Sequence, residues 1–212
     1  MTPRFRSRIE NHSILVIGSA LALLSFYSFV PGDDQKYLWS MATGYTSIVL
    51  LGITLVIGPL NLIKGNHNPV STDLRRDIGI WCGMIGIAHV VVGIQVHMGN
   101  IWLYFVKAVD GADAYLLRRD LFGFANYTGL IAAVVLTLLL LLSNDLSLRL
   151  LKPKRWKNLQ RWSYAGFVLI LAHSVMYQVI EKRNAVIISI FALVTIIPMA
   201  FQMIGFRRQP KA

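Results

Sequence analysis

Two histidines stand at matching positions in two apolar stretches of this chain. His89 and His173 each lie twelve residues beyond the last charged residue on their amino-terminal side, Asp77 and Arg161 respectively. If both stretches cross a membrane from the same side, a rise of about 1.5 Å per residue places both imidazoles about 18 Å deep. Ionisable side chains at such a depth are costly and usually functional. Because neutral imidazole is a good ligand for iron, the pair predicts axial ligation of one haem iron.

The composition is that of an integral membrane protein. Of 212 residues, 55% are hydrophobic and only 15% are charged, and the mean hydropathy is +0.56. A spanning helix needs about 20 apolar residues, and six stretches meet this requirement. We therefore predict an all-α bundle of six transmembrane helices that forms one domain over residues 1–212. The predicted helices cover approximately residues 14–30, 38–63, 78–98, 121–142, 162–180 and 185–206.

The net charge of +11 is explained by membrane topology. An even number of spans places both termini on one side, and 15 of the 21 Lys and Arg residues fall on that side. The positive-inside rule then predicts that both termini are cytoplasmic. Contact with anionic lipid accounts for the basic residues, so we expect a lipid bilayer and no nucleic acid as partner.

Glycines near the histidines would leave room for a porphyrin. Gly86 and Gly93 stand three residues before and four residues after His89, on the same helix face. Gly166 precedes His173 by about two helical turns. We predict that these glycines form part of a haem pocket. Two histidines fill both axial positions of the iron, which favours electron transfer over oxygen binding.

The predicted third helix carries another histidine near its outer end. His97 lies eight residues beyond His89, at a depth where the predicted fifth helix has Glu181 instead of a histidine. We therefore expect no second haem at this end, and His97 is either an interfacial residue or a docking group for an acceptor or metal ion. Four cations on the same side are candidate partners for haem propionates or lipid headgroups: Arg118, Arg119, Lys182 and Arg183.

The residues around both histidines resemble the ferric reductase-like transmembrane domain family. The segments that carry the resemblance are Thr43-Gly44, Pro59-Leu60, Leu74–Gly79 with Ala88-His89, and Leu159–Tyr164 with Ala172-His173. The family includes NADPH oxidases, six-helix metalloreductases and the haem membrane subunit of the bacterial periplasmic methionine sulfoxide reductase system. Over roughly residues 40–180 the resemblance implies haem b between the third and fifth helices and electron transfer across the membrane.

The chain is most similar to the small bacterial branch of that family, which lacks a fused flavin domain. This implies a bacterial-type inner (plasma) membrane and a separate redox partner protein. In that branch a second histidine commonly stands where this chain has Gln160, so we expect a single haem. A quinone or flavin would then have to bridge the distance from a cytoplasmic donor. Gln160 and Arg161 are candidate contacts for its headgroup, or simply polar residues at the start of a helix.

The leading interpretation is a b-type haem protein that passes electrons from a quinone, flavin or reductase donor towards an outer-face acceptor. It would act either as an oxidoreductase by itself or as an electron-transfer subunit. One alternative is a haem-free transporter or channel that uses His89 and His173 in a proton or metal path. Few buried acids and no broken-helix repeat count against that alternative. Another is a membrane scaffold in which both histidines are merely hydrogen-bonded.

Overall fold

Six long apolar helices dominate the computed structural model, which describes residues 3–65, 72–109, 111 and 113–208. The helices are α1 (Pro3–Phe29), α2 (Gln35–Ile63), α3 (Thr72–Gly93), α4 (Leu121–Leu141), α5 (Asp145–Gln160), α6 (Trp162–Ile180) and α7 (Ala185–Arg207). A short 3-10 helix (Ile101–Tyr104) and an antiparallel hairpin of β1 (Val106–Ala108) and β2 (Tyr115–Leu117) separate α3 from α4. Six helical stretches are long and apolar enough to cross a membrane, with α6 as the apolar part of the fifth. The predicted all-α, multi-pass architecture is confirmed.

The most extensive helix–helix packing in the bundle occurs in two pairs. α2 packs against α3, and α4 packs against α6, while α1 and α7 both pack on α2. We call the end where α1 begins and α7 ends the termini end, and the end that carries β1 and β2 the hairpin end. Apolar side chains form a cluster in the interior towards the termini end. The largest cluster there consists of Leu50, Leu51, Leu55, Ile78, Cys82, Ile85 and Phe167.

Both α1 and α3 begin earlier than hydropathy predicts. α1 begins at Pro3 rather than near residue 14, and α3 begins at Thr72 rather than near residue 78. Each apolar span continues at its amino-terminal side as polar helical turns, which a membrane-spanning criterion does not detect. These polar turns contact each other at the termini end, through a carboxylate on α3.

α3 ends at Gly93, five residues before the end predicted near residue 98. Tyr104 of the 3-10 helix accounts for this end. Its hydroxyl donates to the Gly93 carbonyl (3.1 Å) and accepts the backbone N–H of His97 (3.0 Å). These bonds take the place of helical bonds, so His97 lies in a bend after α3. The prediction that α3 continues to His97 is therefore wrong.

The polar segment before α6 forms the helix α5, which the hydropathy pattern does not predict. Asn144 begins α5, since its side chain accepts the N–H of Ser147 (2.7 Å). Arg76 of α3, which is almost fully buried, donates to Asp145 at 2.6 Å. This ion pair attaches the start of α5 to the bundle at the termini end.

A buried carboxylate joins α1 to α3. Asp77 has no exposed surface, and it accepts hydrogen bonds from Arg8 (2.7 Å) and Asn11 (3.2 Å). His12 lies 3.5 Å from the same carboxylate and accepts the indole N–H of Trp81 (3.1 Å). α1 buries little of its apolar surface in the bundle, so this polar cluster supplies much of its specific attachment.

We expect the Arg8→Ala variant to lose about 3 kcal/mol of stability, because it leaves a fully buried carboxylate without its cation. Thermal unfolding of the purified protein in detergent measures the change. Arg6→Ala is the matched control: the Arg6 side chain is 79% exposed and pairs with Glu10 on the surface, so its loss should cost less than about 1 kcal/mol. Equal effects of the two substitutions would contradict the role given to Asp77.

Candidate functional site

The structure brings His89 and His173 together in the interior of the bundle. His89 lies on α3 and His173 on α6, so each helix pair contributes one imidazole. Their ring centroids are 6.2 Å apart and the ring planes are inclined by 80°. This nearness is what the matched depth of the two residues predicted.

Each imidazole binds a backbone carbonyl of the partner helix in its pair. His89 Nδ1 lies 2.8 Å from the Ser40 carbonyl on α2, and His173 Nδ1 lies 2.8 Å from the Ala125 carbonyl on α4. A carbonyl oxygen only accepts, so both Nδ1 atoms carry the proton. Both Nε2 atoms therefore hold a lone pair, and within the described residues neither has a hydrogen-bond partner. A neutral imidazole in this tautomer is ready to bind a metal through Nε2.

A glycine on α2 allows the His89 ring to reach the Ser40 carbonyl. Gly44 follows Ser40 by four residues, one helical turn along the same face. A Cβ atom at Gly44 would lie 3.0 Å from His89 Nδ1 and 3.1 Å from Cε1. The bare backbone thus lets the ring lie directly against α2.

The other helix pair repeats this arrangement. On α4, Gly129 follows Ala125 by four residues. A Cβ atom at Gly129 would lie only 2.6 Å from His173 Nδ1 and 2.8 Å from Cε1. Sequence reasoning did not assign either glycine to the site. The available signal was a shared spacing, in which a glycine follows the residue with the accepting carbonyl by four positions, on the membrane span before that of each histidine.

The two rings line an apolar cavity of about 280 Å³ in the half of the bundle towards the hairpin end. Gly86 and Gly93, predicted as pocket residues, both line it. Gly166 lies elsewhere: it is buried between α6 and α4, where a Cβ atom would lie 3.3 Å from Val135. It serves helix packing because it faces α4 rather than the cavity.

Gln160 and Arg161 lie at the termini end, where α5 meets α6, and neither lines the cavity. The Nε2 atom of Gln160 is buried and has no hydrogen-bond partner within the described residues. Arg161 is exposed. The pair is therefore separated from the histidines by the packed interior of the termini half.

A cation and an amide with unsatisfied atoms face the cavity at its hairpin end. Arg183, in the turn between α6 and α7, stacks over the Tyr37 ring with its guanidinium carbon 4.9 Å from the ring centroid. Burial lowers the pKa of Arg183 to about 10, which leaves the group charged at neutral pH. Gln178 donates to the Tyr45 hydroxyl (3.0 Å). Arg183 Nη1 and Gln178 Oε1 are both buried without partners among the described residues.

His97 reaches the same cavity although it does not belong to α3. Its Nε2 lies 3.2 Å from Glu181, and its ring stacks on Tyr177 with centroids 5.8 Å apart. Tyr177 in turn contacts His173, with ring centroids 4.9 Å apart. Glu181, at the position matching His97 in the sequence, thus lies within hydrogen-bond distance of its imidazole.

No protein-family model matches the chain. The resemblance to ferric reductase-like domains therefore rests on its short motifs, and the site has to be interpreted from its geometry.

Proposed function

We propose that this chain is a b-type haem membrane protein that transfers electrons through the bilayer, with His89 and His173 as the axial ligands of one haem iron. The observation that carries the proposal is the pair of imidazoles with their Nδ1–H groups on backbone carbonyls and unpartnered Nε2 atoms. Both line one apolar cavity. Carbonyl bonds of this kind fix the tautomer and increase the basicity of metal-bound histidines.

The separation of the rings supports ligation of one ion by both histidines. A metal–imidazole bond is about 2.0 Å long and the nitrogen lies about 1.1 Å from its ring centroid, so two opposed ligands hold their centroids about 6 Å apart. The observed distance is 6.2 Å. Hydrogen bonding between the two imidazoles does not explain the spacing, because both Nδ1 protons are already bound to carbonyls.

The small number of protein ligands favours haem over a bare metal ion. Structural zinc sites use four protein ligands and catalytic ones use three. Within the described residues no group of three or more His, Cys, Asp and Glu side chains is placed to hold a metal ion. A porphyrin supplies four further nitrogens, so two axial imidazoles complete its coordination.

When bound, the haem would supply a one-electron iron couple, whose potential depends on ligands, burial and nearby charge. The chain's own residues hold the two imidazoles in place through backbone carbonyls and surround them with a largely apolar cavity wall. With both axial positions filled by histidine, the site favours electron transfer over oxygen binding. Whether the chain acts as an oxidoreductase alone or as a subunit, we propose a separate redox partner.

The packed interior at the termini end supports a single haem. Leu55 and Cys82 belong to an apolar cluster there, and Gln160 stands where the bacterial branch that the chain resembles commonly has a second histidine. We propose cytoplasmic termini in a bacterial-type inner membrane, with the haem towards the opposite face. Gln160, with its buried and unpartnered Nε2, is then the candidate contact for a quinone or flavin headgroup.

The same packing disfavours the haem-free alternative. A proton or metal path through His89 and His173 would need polar groups in both halves of the bundle. Towards the hairpin end His97, Glu181 and Tyr177 provide such groups. Towards the termini end, the apolar cluster residues Ile78, Cys82 and Ile85 lie between the buried Asp77 and His89 along α3, so they interrupt the polar groups of the two ends along this helix.

A reduced-minus-oxidised optical spectrum with haem quantification tests the proposal. After haem-replete expression, the purified protein should show Soret and α bands of six-coordinate low-spin haem b, with one haem per chain. Absence of these bands would reject the proposed function. A stoichiometry of two haems per chain would reject the single site.

A further inference from the structure

We infer that Arg183 is an anion-binding residue at the mouth of the cavity, and that it holds a carboxylate of the bound ligand, namely a propionate of the haem. The inference rests on the proposed function and extends it to the orientation of the haem. It places the carboxylates at the hairpin end and the apolar edge of the macrocycle deeper in the bundle.

The inference depends on a buried nitrogen of the Arg183 guanidinium that has no hydrogen-bond partner among the described residues. Arg183 Nη1 is buried and makes no hydrogen bond within the described residues. A buried charged donor without a partner is strongly unfavourable. The Tyr37 ring below the guanidinium fixes its plane, with 4.9 Å from the guanidinium carbon to the ring centroid. A planar fork of N–H donors held in this way is suited to a carboxylate.

Three other cations at the hairpin end are either hydrogen-bonded or exposed to solvent. Arg118 is bound to Asp120 (2.7 Å) and to the Leu103 carbonyl (2.8 Å). Arg119 and Lys182 are exposed to solvent. Of the Lys and Arg side chains in the described ranges, Arg183 alone lines the cavity.

The acid nearest in sequence to Arg183 is already paired. Glu181 Oε1 lies 3.2 Å from His97 Nε2, and within the described residues no hydrogen bond or ion pair joins Glu181 to Arg183. The unpartnered Oε1 of Gln178 lines the same cavity and can accept a hydrogen bond from water that solvates a carboxylate. The hairpin end of the cavity thus offers both a cation and a polar acceptor, whereas its interior is apolar.

Binding of haem and of haem dimethyl ester to the haem-free, full-length protein in detergent tests the inference. Esterification removes both carboxylates and leaves the ring and the iron unchanged. We expect the wild-type protein to bind haem about tenfold or more tightly than the ester, as a charge-assisted pair requires. Arg183→Gln should abolish this preference, and Arg183→Lys should recover most of it.

Two further variants make the test decisive. Lys182→Gln removes the adjacent exposed cation and should keep the wild-type preference. Arg183→Met keeps an apolar stem over Tyr37 without the charge, and it replaces Arg183→Gln if that variant does not fold. Equal binding of haem and ester by the wild-type protein would overturn this inference alone, as would a preference that survives in the neutral variants. A wild-type protein that binds neither compound would overturn the proposed function as well.

Discussion

The His89→Ala and His173→Ala variants are each expected to lose the low-spin haem spectrum of the wild-type protein. Each substitution removes one of the two proposed axial ligands. The described residues contain no cluster of His, Cys, Asp and Glu that could take over the iron. We expect haem affinity to fall by more than about tenfold, equivalent to more than about 1.4 kcal/mol, with any retained haem becoming five-coordinate and high-spin.

Two other histidines serve as controls for this experiment. His12 binds Trp81 and Asp77 at the termini end, far along α1 from the cavity. His97 lines the cavity but is paired with Glu181. The His12→Gln and His97→Gln variants should therefore keep the low-spin spectrum. If the spectrum of His89→Ala or of His173→Ala were unchanged, the substituted histidine would not be an iron ligand.

Added imidazole separates a ligand from a merely structural histidine. Alanine at position 173 leaves a space the size of the ring beside Gly129, because the glycine backbone there is bare. Free imidazole should enter this space and restore the six-coordinate spectrum. A histidine that only stabilised helix packing through its bond to the Ala125 carbonyl would show no spectral rescue.

The spans of this fold are predictable from sequence because each depends on one continuous stretch. Apolar runs of sufficient length identified all six. The end of α3 was not predictable in this way, since it depends on the hydroxyl of Tyr104 from the following 3-10 helix. The polar helix α5 was missed for a related reason: its attachment is an ion pair between Arg76 and Asp145, which hydropathy does not record.

At the site, the depth of a residue in the bundle was predictable from sequence, whereas the direction in which its helix face points was not. Counting residues along two helices predicted that His89 and His173 share a depth, and they do lie side by side. Whether a glycine faces the cavity or a neighbouring helix depends on how the helices pack. Gly86 and Gly93 turn towards the cavity, whereas Gly166 turns towards Val135 on α4.

The glycine beside His173 provides the sharpest test of how the proposed ligands are positioned. Alanine at position 129 would place a Cβ atom 2.6 Å from His173 Nδ1, well inside van der Waals contact. The ring would have to move, and its 2.8 Å bond to the Ala125 carbonyl would break. We therefore expect Gly129→Ala to lower haem affinity by about tenfold or more, equivalent to about 1.4 kcal/mol, measured by haem titration of the haem-free protein.

The order of haem affinities expected among three Gly→Ala variants tests whether displacement of the imidazoles causes the loss. Gly44→Ala should have a smaller effect, because its Cβ atom would lie 3.0 Å from His89 Nδ1 and a small shift of the ring relieves the contact. Gly79→Ala, on α3 with no atom within 4 Å of the added Cβ, should leave haem affinity unchanged. Alanine favours a helix over glycine by about 1 kcal/mol, so intrinsic propensity alone would make all three variants more stable. A loss of haem affinity that follows the order of Cβ clashes therefore comes from displacement of the imidazoles, and equal losses in all three variants would contradict that cause.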